Sequence, residues 1–421
     1  MSAFPPLVLR NLSAALCALV LLAPLAAAAQ QSPAPAASAP AEGVREELVK
    51  PLVAAQDALK ARNYAEALAQ LKLTDAVADK TAYERFVIDQ VRIPAAAGAG
   101  DLALAEKSYQ SAVASGRLKD DDRVQLMGTL TAAAFTAKDY ASSIRWASQY
   151  AKDGGTLPSV RTMLIQSYYL SSDFAATARE LDADVNADLA AGRAPTEERL
   201  RLLASSQSQA KNDAGYMAAL ERLVAYHPKK EYWFDLLSRT TRKSGFAERL
   251  WLDAYRLQKA AAGLRDAGEY TDVAQMAQQA GYPIEARELI EQGYAASVLG
   301  IGPQAAQHKA LRERFAKAAA DDLKSLAPAA SAGARDGNVL ASTGLNLVFA
   351  GQPDKGLPMM EEGLAKGGLR QPEDMRLRLG MAYVLAGQKD KALATLAAVK
   401  GGDGTADLAR LWTLHAQRAL K

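Results

Sequence analysis

The chain repeats a phrase near its C-terminal end: LVFAGQPDKGLPMM at residues 347–360 returns as YVLAGQKDKALATL at residues 383–396. Gly351 and Gly387 stand at matching places in the two copies, 36 residues apart. Self-similarity at a period of about 20 to 50 residues is typical of proteins built from stacked supersecondary units. The phrase therefore predicts an array of repeats before it indicates any chemistry.

The second copy, with its flanks at residues 373–399, indicates how one repeat packs. Gly387 is predicted to make the turn between two helices, because glycine readily takes the left-handed conformation that ends many helices. Gly380 and Ala392 are predicted to lie where the two helices cross closely, since only small residues fit there. Larger apolar side chains then fill the space around the crossing: Tyr383, Leu396 and Val399.

This pattern resembles the tetratricopeptide repeat, whose first helix carries W-x2-L-G-x2-Y and whose second helix carries a small and then a large apolar residue. Leu379, Gly380 and Tyr383 match it, whereas Arg376 stands where tryptophan is usual. The resemblance covers residues 44–421 and implies an all-α fold, an α-solenoid of about ten antiparallel helix pairs in a right-handed superhelix. Weaker copies place the small position of the second helix at Ala67, Ala105, Ser143, Thr177, near Tyr216, near Arg249, and at Ala286, Gly356 and Ala392.

Successive small positions lie 33 to 39 residues apart, except for one gap of 70 before Gly356. That gap predicts a degenerate repeat in ALRERFAKAAADDLKSLAPA, residues 310–329. A Gly- and Ala-rich stretch at residues 328–338 favours a flexible break after it. The sequence thus predicts an N-terminal repeat array over residues 44–327 and further C-terminal repeats over residues 339–421.

The first 43 residues differ in composition from the rest of the chain. Arg10 is the only charge among residues 1–29, and an apolar run and four alanines follow it. This order is typical of a secretory signal cleaved after Ala29, the alternative being an uncleaved anchor. Residues 30–43 are rich in Pro, Ala and Ser, which favours an extended tether. We therefore expect an exported protein, periplasmic in a bacterium with two membranes.

Composition limits the kind of partner. Cys17 is the only cysteine and lies in the predicted signal, so the mature chain would have no thiol chemistry. The formal net charge of the whole chain is +3, without long runs of one sign, which gives nucleic-acid binding no electrostatic support. No later segment is apolar enough to predict a membrane span.

Motifs for catalysis or metal binding fail on spacing. The histidines, His227, His308 and His415, are too far apart for a zinc motif, and no G-x-S-x-G nucleophile motif occurs. The stretch DADVNAD opens like a calcium loop at Asp182, but Ala187 and Arg193 occupy the places of the required glycine and glutamate. We therefore expect no enzyme activity, no metal and no cofactor.

Two candidate surfaces for a partner remain. In tetratricopeptide arrays the first helix of each pair lines the concave side, so the resemblance implies a partner-binding face there. A stretch rich in aromatic and basic residues, 227–258, is either core packing or an exposed patch. The concave set is Gln125, Phe135, Thr162, Gln166, Tyr169, Arg201, Ser205 and Ser208, and the patch comprises Tyr232, Trp233, Arg242 and Trp251.

The functional expectation is a non-enzymatic adaptor that binds a protein or peptide partner in cell-envelope assembly, secretion or transport. Two alternatives stay open. One is a factor that binds or processes envelope polysaccharide or peptidoglycan with acidic residues on the inner face, and the other is a purely structural spacer.

Overall fold

The computed structural model describes residues 43–332 and 336–419, so the predicted signal and nearly all of the tether lie outside the described residues. Twenty α-helices and no strand occur in this part of the chain. The helices are α1 (Glu46–Lys60), α2 (Tyr64–Asp75), α3 (Ala82–Ala99), α4 (Leu102–Ala114), α5 (Asp120–Thr136), α6 (Tyr140–Lys152), α7 (Pro158–Leu170), α8 (Phe174–Ala190), α9 (Glu197–Gln209), α10 (Asp213–Tyr226), α11 (Lys230–Thr241), α12 (Trp251–Ala261), α13 (Ala267–Gln279), α14 (Pro283–Ala295), α15 (Ala305–Ala332), α16 (Gly337–Phe349), α17 (Pro353–Lys366), α18 (Pro372–Leu385), α19 (Lys389–Ala397) and α20 (Thr405–Ala419).

Eight helix pairs share one turn. The residue just before the N-cap of the second helix has a positive φ in every one of these turns, and the N-cap follows at once. In the first five pairs the N-cap is Asn or Asp, and its side chain accepts a hydrogen bond from a backbone N–H three residues on. The positive-φ residues are Arg62, Gly100, Lys138, Ser172, Lys211, Gly281, Gly351 and Gly387.

The predicted register is confirmed by burial. The predicted crossing position lies four residues after the N-cap in all eight pairs, and the residue there is small in every pair except the fifth, which has Tyr216. On the first helix of the last pair, a Cβ on Gly380 would meet the Leu396 side chain at 2.5 Å, which explains why the position of Gly380 must be small as well. The predicted solenoid of tetratricopeptide-like pairs is thereby confirmed, with these buried residues at the crossings: Ala67, Ala105, Ser143, Thr177, Tyr216, Ala286, Gly356 and Ala392.

Two expectations about individual repeats are wrong. The small position expected near Arg249 does not exist, because α11 and α12 are joined by an irregular segment with a 3₁₀ turn, Glu248–Leu250, in which Arg249 is exposed. The degenerate pair expected at residues 310–329 is one helix of 28 residues, α15. Its alanine-rich sequence contains neither Gly nor Asn to make a turn, so the helix continues.

Residues 328–332 of the expected break continue α15, and Asp336 caps α16 by accepting a hydrogen bond from the backbone N–H of Val339 at 3.3 Å. Residues 333–335 lie outside the described residues. The division of the array at this place stays a prediction.

The C-terminal helices fold back on the middle of the array. Helix α20 packs against α10 and α12, and Arg249 forms an ion pair with Asp374 at 2.8 Å. Lys243 likewise pairs with Asp407 at 2.9 Å. In a simple solenoid each repeat contacts only its neighbours. From α10 to α20 this array therefore closes on itself, while α1 to α8 stay stacked in sequence order.

His415 lies inside this closure, with its ring edge-on to Trp233 and Trp412 at centroid distances of 6.3 and 5.7 Å. Burial lowers the pKa of the imidazole, because an apolar site disfavours the charged form. A lowered pKa means that the unfolded chain binds the proton more readily than the folded chain. The stability that neutral His415 contributes is therefore complete above about pH 6.5 and is lost as the pH falls below that value.

We expect the melting temperature of the wild-type chain to fall more steeply between pH 7.5 and 5.5 than that of a His415→Phe variant. Phenylalanine keeps the ring contacts but has no proton to bind. Circular dichroism melts of both proteins across this range measure the difference. Parallel curves for the two proteins would contradict this account of His415.

Candidate functional site

A cleft opens between α7, α8 and α9, with a volume of about 650 Å³. In the preceding repeats the first helices pack on one another, as α3 does on α1, α5 on α3 and α7 on α5. Helix α9 does not pack on α7 in this way. The cause lies in α8, which has 17 residues where α4 and α6 have 13. One additional turn of helix, roughly 6 Å at 1.5 Å per residue, displaces the start of α9 and leaves the cleft.

The walls of the cleft are largely apolar. Leu157 and Leu170, at the two ends of α7, are 54% and 39% exposed, which is unusual for leucines in this protein. At one end the hydroxyl of Tyr150 accepts a hydrogen bond from the backbone N–H of Leu157 at 2.9 Å. Further apolar side chains continue the surface: Val160, Leu164, Ile165, Leu181, Ala187 and Leu202.

Most of the charged side chains around the cleft are paired. Arg161 on α7 contacts Glu180 and Asp184 on α8, with an N–O distance of 3.0 Å to Asp184. Asp188, near the end of α8, pairs with Arg193 at 2.8 Å and also with Arg199 on α9. These pairs tie α7 and α9 to α8 across the gap. Because positive and negative groups balance, the cleft selects for apolar surface more than for charge.

The structure brings only part of the predicted concave set together. Thr162, Gln166 and Tyr169 line the cleft from α7. Tyr169 packs edge-on to Phe174 at 5.5 Å, which holds the ring at the end of α7 where α8 begins. The other five predicted residues do not line it: Gln125 and Phe135 on α5, and Arg201, Ser205 and Ser208 on α9.

Helix α9 contributes Glu198, Arg199 and Leu202 to the cleft. Sequence reasoning missed these residues because it assumed that every first helix presents the same face to one inner surface. The departure of α9 from the stack turns a different face toward α7. The sequence does offer one signal for this site, the leucines at both ends of α7, but their exposure is a property of the structure.

The predicted aromatic patch is divided by the structure. Tyr232 and Trp233 are only 4% and 3% exposed and belong to the core, so they are not available to a partner. Arg242 and Trp251 line a second, smaller pocket of about 220 Å³ between α11 and α12. Core packing is thus the right interpretation for Trp233, whereas Trp251 is half-buried and open to this pocket.

Within residues 43–332 and 336–419, no three His, Cys, Asp or Glu side chains come together as metal ligands would. No helix in these ranges combines the length and the apolar character needed to cross a bilayer.

The sequence matches no protein-family profile and no curated protein. Solved structures to which this chain is similar include the Naa15/Naa10 complex bound to HypK-THB. The match has 13% identity and a TM-score of 0.23, and it covers 86% of this chain and 70% of that chain. Another is the TPR domain of P58(IPK), at 12% identity and a TM-score of 0.21, covering 89% of this chain and 98% of that one. Superposition at this level is weak, so the fold rests on the helix pairs of the chain itself.

Proposed function

We propose that the protein is a non-enzymatic interaction scaffold and that the cleft between α7, α8 and α9 receives an apolar segment of a protein partner. The exposed apolar lining of the cleft carries this proposal. Leu157 and Leu170 remain in water in the free protein, and covering them is favourable by about 25 cal/mol per Å² of apolar surface removed from water. Apolar centres with polar rims are typical of protein interfaces.

The rim offers polar contacts for the main chain of a bound segment. Gln166 lines the cleft, and its amide can both donate and accept a hydrogen bond. Thr162 is exposed beside it, but its hydroxyl already donates to the carbonyl of Pro158 at 2.9 Å. Gln166 is therefore the side chain that best fixes the position of a peptide, while the leucines supply most of the binding free energy.

We place this scaffold in the cell envelope, with a partner in assembly, secretion or transport there. The predicted signal at residues 1–29 and the Pro/Ala-rich tether support this location. The tether would allow the array to reach a partner at some distance. An N-terminal sequence of the mature protein that begins near residue 30, in material released with the periplasmic contents, tests this part.

The cleft is tested by a photo-crosslinking residue at position 162 in intact cells, combined with Leu157→Asp or Leu170→Asp. We expect a defined crosslinked partner whose yield falls about tenfold or more with either substitution, because a carboxylate would then be buried at the contact. The matched control is Leu73→Asp on α2, since Leu73 is also an exposed leucine and lies far from the cleft. Equal loss in the control, or crosslinks that ignore both cleft substitutions, would refute the assignment.

A further inference from the structure

The small pocket between α11 and α12 has a chemistry distinct from that of the cleft. Phe234 on α11 and Trp251 and Tyr255 on α12 form its aromatic walls. Trp251 and Tyr255 are one helical turn apart, with ring centroids at 6.1 Å and planes inclined by 36°, and this tilted pair is the aromatic platform of the lining. At about 220 Å³ the pocket is smaller than the ~300 Å³ at which drug-sized sites begin. It suits a single ring-sized unit.

Hydrogen-bonding groups of both kinds surround this platform. Ser238 and Tyr255 bring hydroxyls to the lining, and burial raises the pKa of Tyr255, so its hydroxyl keeps its proton at neutral pH. Gln258 is buried in the lining, and its amide nitrogen donates to Glu269 at 2.8 Å. That bond fixes the amide and leaves its carbonyl oxygen to accept a hydrogen bond from a ligand.

The pocket also has an excess of positive charge. Two arginines line it, and no carboxylate does. Arg265 is neutralised by Glu269, to which its Nε donates at 2.6 Å. Among the described residues, no carboxylate or carbonyl pairs with the guanidinium of Arg242, which is exposed at the pocket. One arginine is therefore free to bind an anionic group.

We infer that this pocket binds one acidic sugar unit of a polysaccharide, with the sugar ring on the Trp251–Tyr255 platform and its carboxylate on Arg242. A pyranose ring presents polarised C–H groups on its face, and these are attracted to the negative face of an aromatic ring. Its hydroxyls lie around its edge, where Ser238 can donate and the Gln258 carbonyl can accept. A carboxylate and a guanidinium form a strong, charge-assisted pair.

Other ligands of similar size fit less well. An unsubstituted aromatic acid or an aromatic peptide side chain would cover the platform, but it offers at most one hydroxyl, that of tyrosine, to Ser238 and Gln258. A neutral sugar would leave Arg242 unpaired. The open side of the pocket lets a polymer continue beyond the bound unit. This inference does not depend on the cleft, and it gives a specific place to the polysaccharide alternative.

The experiment titrates the mature full-length protein with trigalacturonate, with galactotriose of the same linkage as the neutral match, and with phenylpropionate as the aromatic acid. Isothermal calorimetry and saturation-transfer NMR report binding. The test variants are Arg242→Gln and Trp251→Ala. The controls are Arg370→Gln and Tyr226→Ala, which alter an exposed arginine and an exposed tyrosine elsewhere.

We expect trigalacturonate to bind about fivefold more tightly than galactotriose, since an ion pair at an exposed arginine contributes at most about 1 kcal/mol. Arg242→Gln should reduce trigalacturonate to the affinity of the neutral sugar, and Trp251→Ala should abolish binding. Both control variants should bind as the wild type does. Because Arg242 is exposed, its variant remains a valid test even if Trp251→Ala unfolds, which a circular dichroism melt reveals.

Three results would overturn the inference: equal affinity for both sugars, tighter binding of phenylpropionate than of trigalacturonate, or no binding of trigalacturonate at 10 mM, a concentration chosen as about ten times a millimolar Kd. The crosslinking result at position 162 is independent of all three. Failure here would therefore leave the proposed scaffold function untouched.

Discussion

Replacement of Arg256 by methionine is expected to lower the free energy of unfolding by about 3–5 kcal/mol, the typical cost of removing one partner from a buried ion pair. Arg256 is only 4% exposed and donates to both carboxylate oxygens of Glu285, at 2.9 and 2.6 Å. It also donates to Asp253 at 2.7 Å. Without the guanidinium, Glu285 keeps a buried negative charge with no cation beside it.

Asp253 has a second partner, Arg378 on α18, whose Nη2 donates to it at 2.9 Å. This bond joins residues 125 positions apart, so the cluster links the middle of the array to its C-terminal helices. The cations hold the pKa of Asp253 below its usual value despite the desolvation that opposes them. Loss of Arg256 should therefore affect closure as well as local packing.

Denaturant unfolding of the purified protein measures the Arg256→Met effect. Lys60→Met is the control, because the pair of Lys60 with Asp57 is exposed and such pairs contribute at most about 1 kcal/mol. Replacing all four charged residues of the cluster with uncharged ones should cost less than the single change, since no charge is then left unpaired. If Arg256→Met were as mild as Lys60→Met, the cluster would not hold the closure together.

The second large effect is expected at the crossing of α16 and α17. A Cβ on Gly356 would lie 2.4 Å from the backbone oxygen of Gly344 and 2.8 Å from a methyl group of Val348. The backbone oxygen cannot rotate away, so Gly356→Ala must force the helices apart. Overpacking of this kind costs typically 1–3 kcal/mol. The gain of up to about 1 kcal/mol in helix propensity offsets only part of that cost.

Gly128→Ala on α5 is the matched control for Gly356→Ala. A Cβ on Gly128 would meet Tyr150 and Val160 at 3.6 Å, which is ordinary van der Waals contact. The control should leave stability unchanged or raise it by up to about 1 kcal/mol. Thermal melts of the two variants separate steric cost from propensity. A stabilised Gly356→Ala protein would be incompatible with the close crossing.

The repeat register could be read from the sequence because it depends on local rules. A turn residue with positive φ recurs at each regular pair, and a polar N-cap and a small residue four positions later recur at most of them. Gly387 and Ala392 were enough to place the same positions far upstream, down to Ala67, which is fully buried. Where the local signals were absent, as in α15, the sequence predicted a helix pair that does not exist.

Closure and the cleft could not be read in this way, because both depend on pairs of distant residues. Arg249 and Asp374 lie 125 positions apart, and neither stands in a pattern that indicates the other. The cleft depends on the length of α8 and on where that length puts α9. The three predicted residues that line the cleft all belong to α7, which still packs on α5 in the regular arrangement.

The closure has a consequence for the order in which the chain assembles during synthesis. The packing partners of the helix pairs from α1 to α8 lie within the next few dozen residues of the chain, so each pair can pack soon after it is synthesised. Helices α10 to α12 instead cannot complete their packing until much later residues have been made. Asp407, for example, lies 164 positions after its partner Lys243, which is in the segment between α11 and α12. During that interval the surface that α20 will cover stays open to water, and the entropy of a long loop must be overcome before it is covered. The last repeats to be made thus complete the middle of the protein.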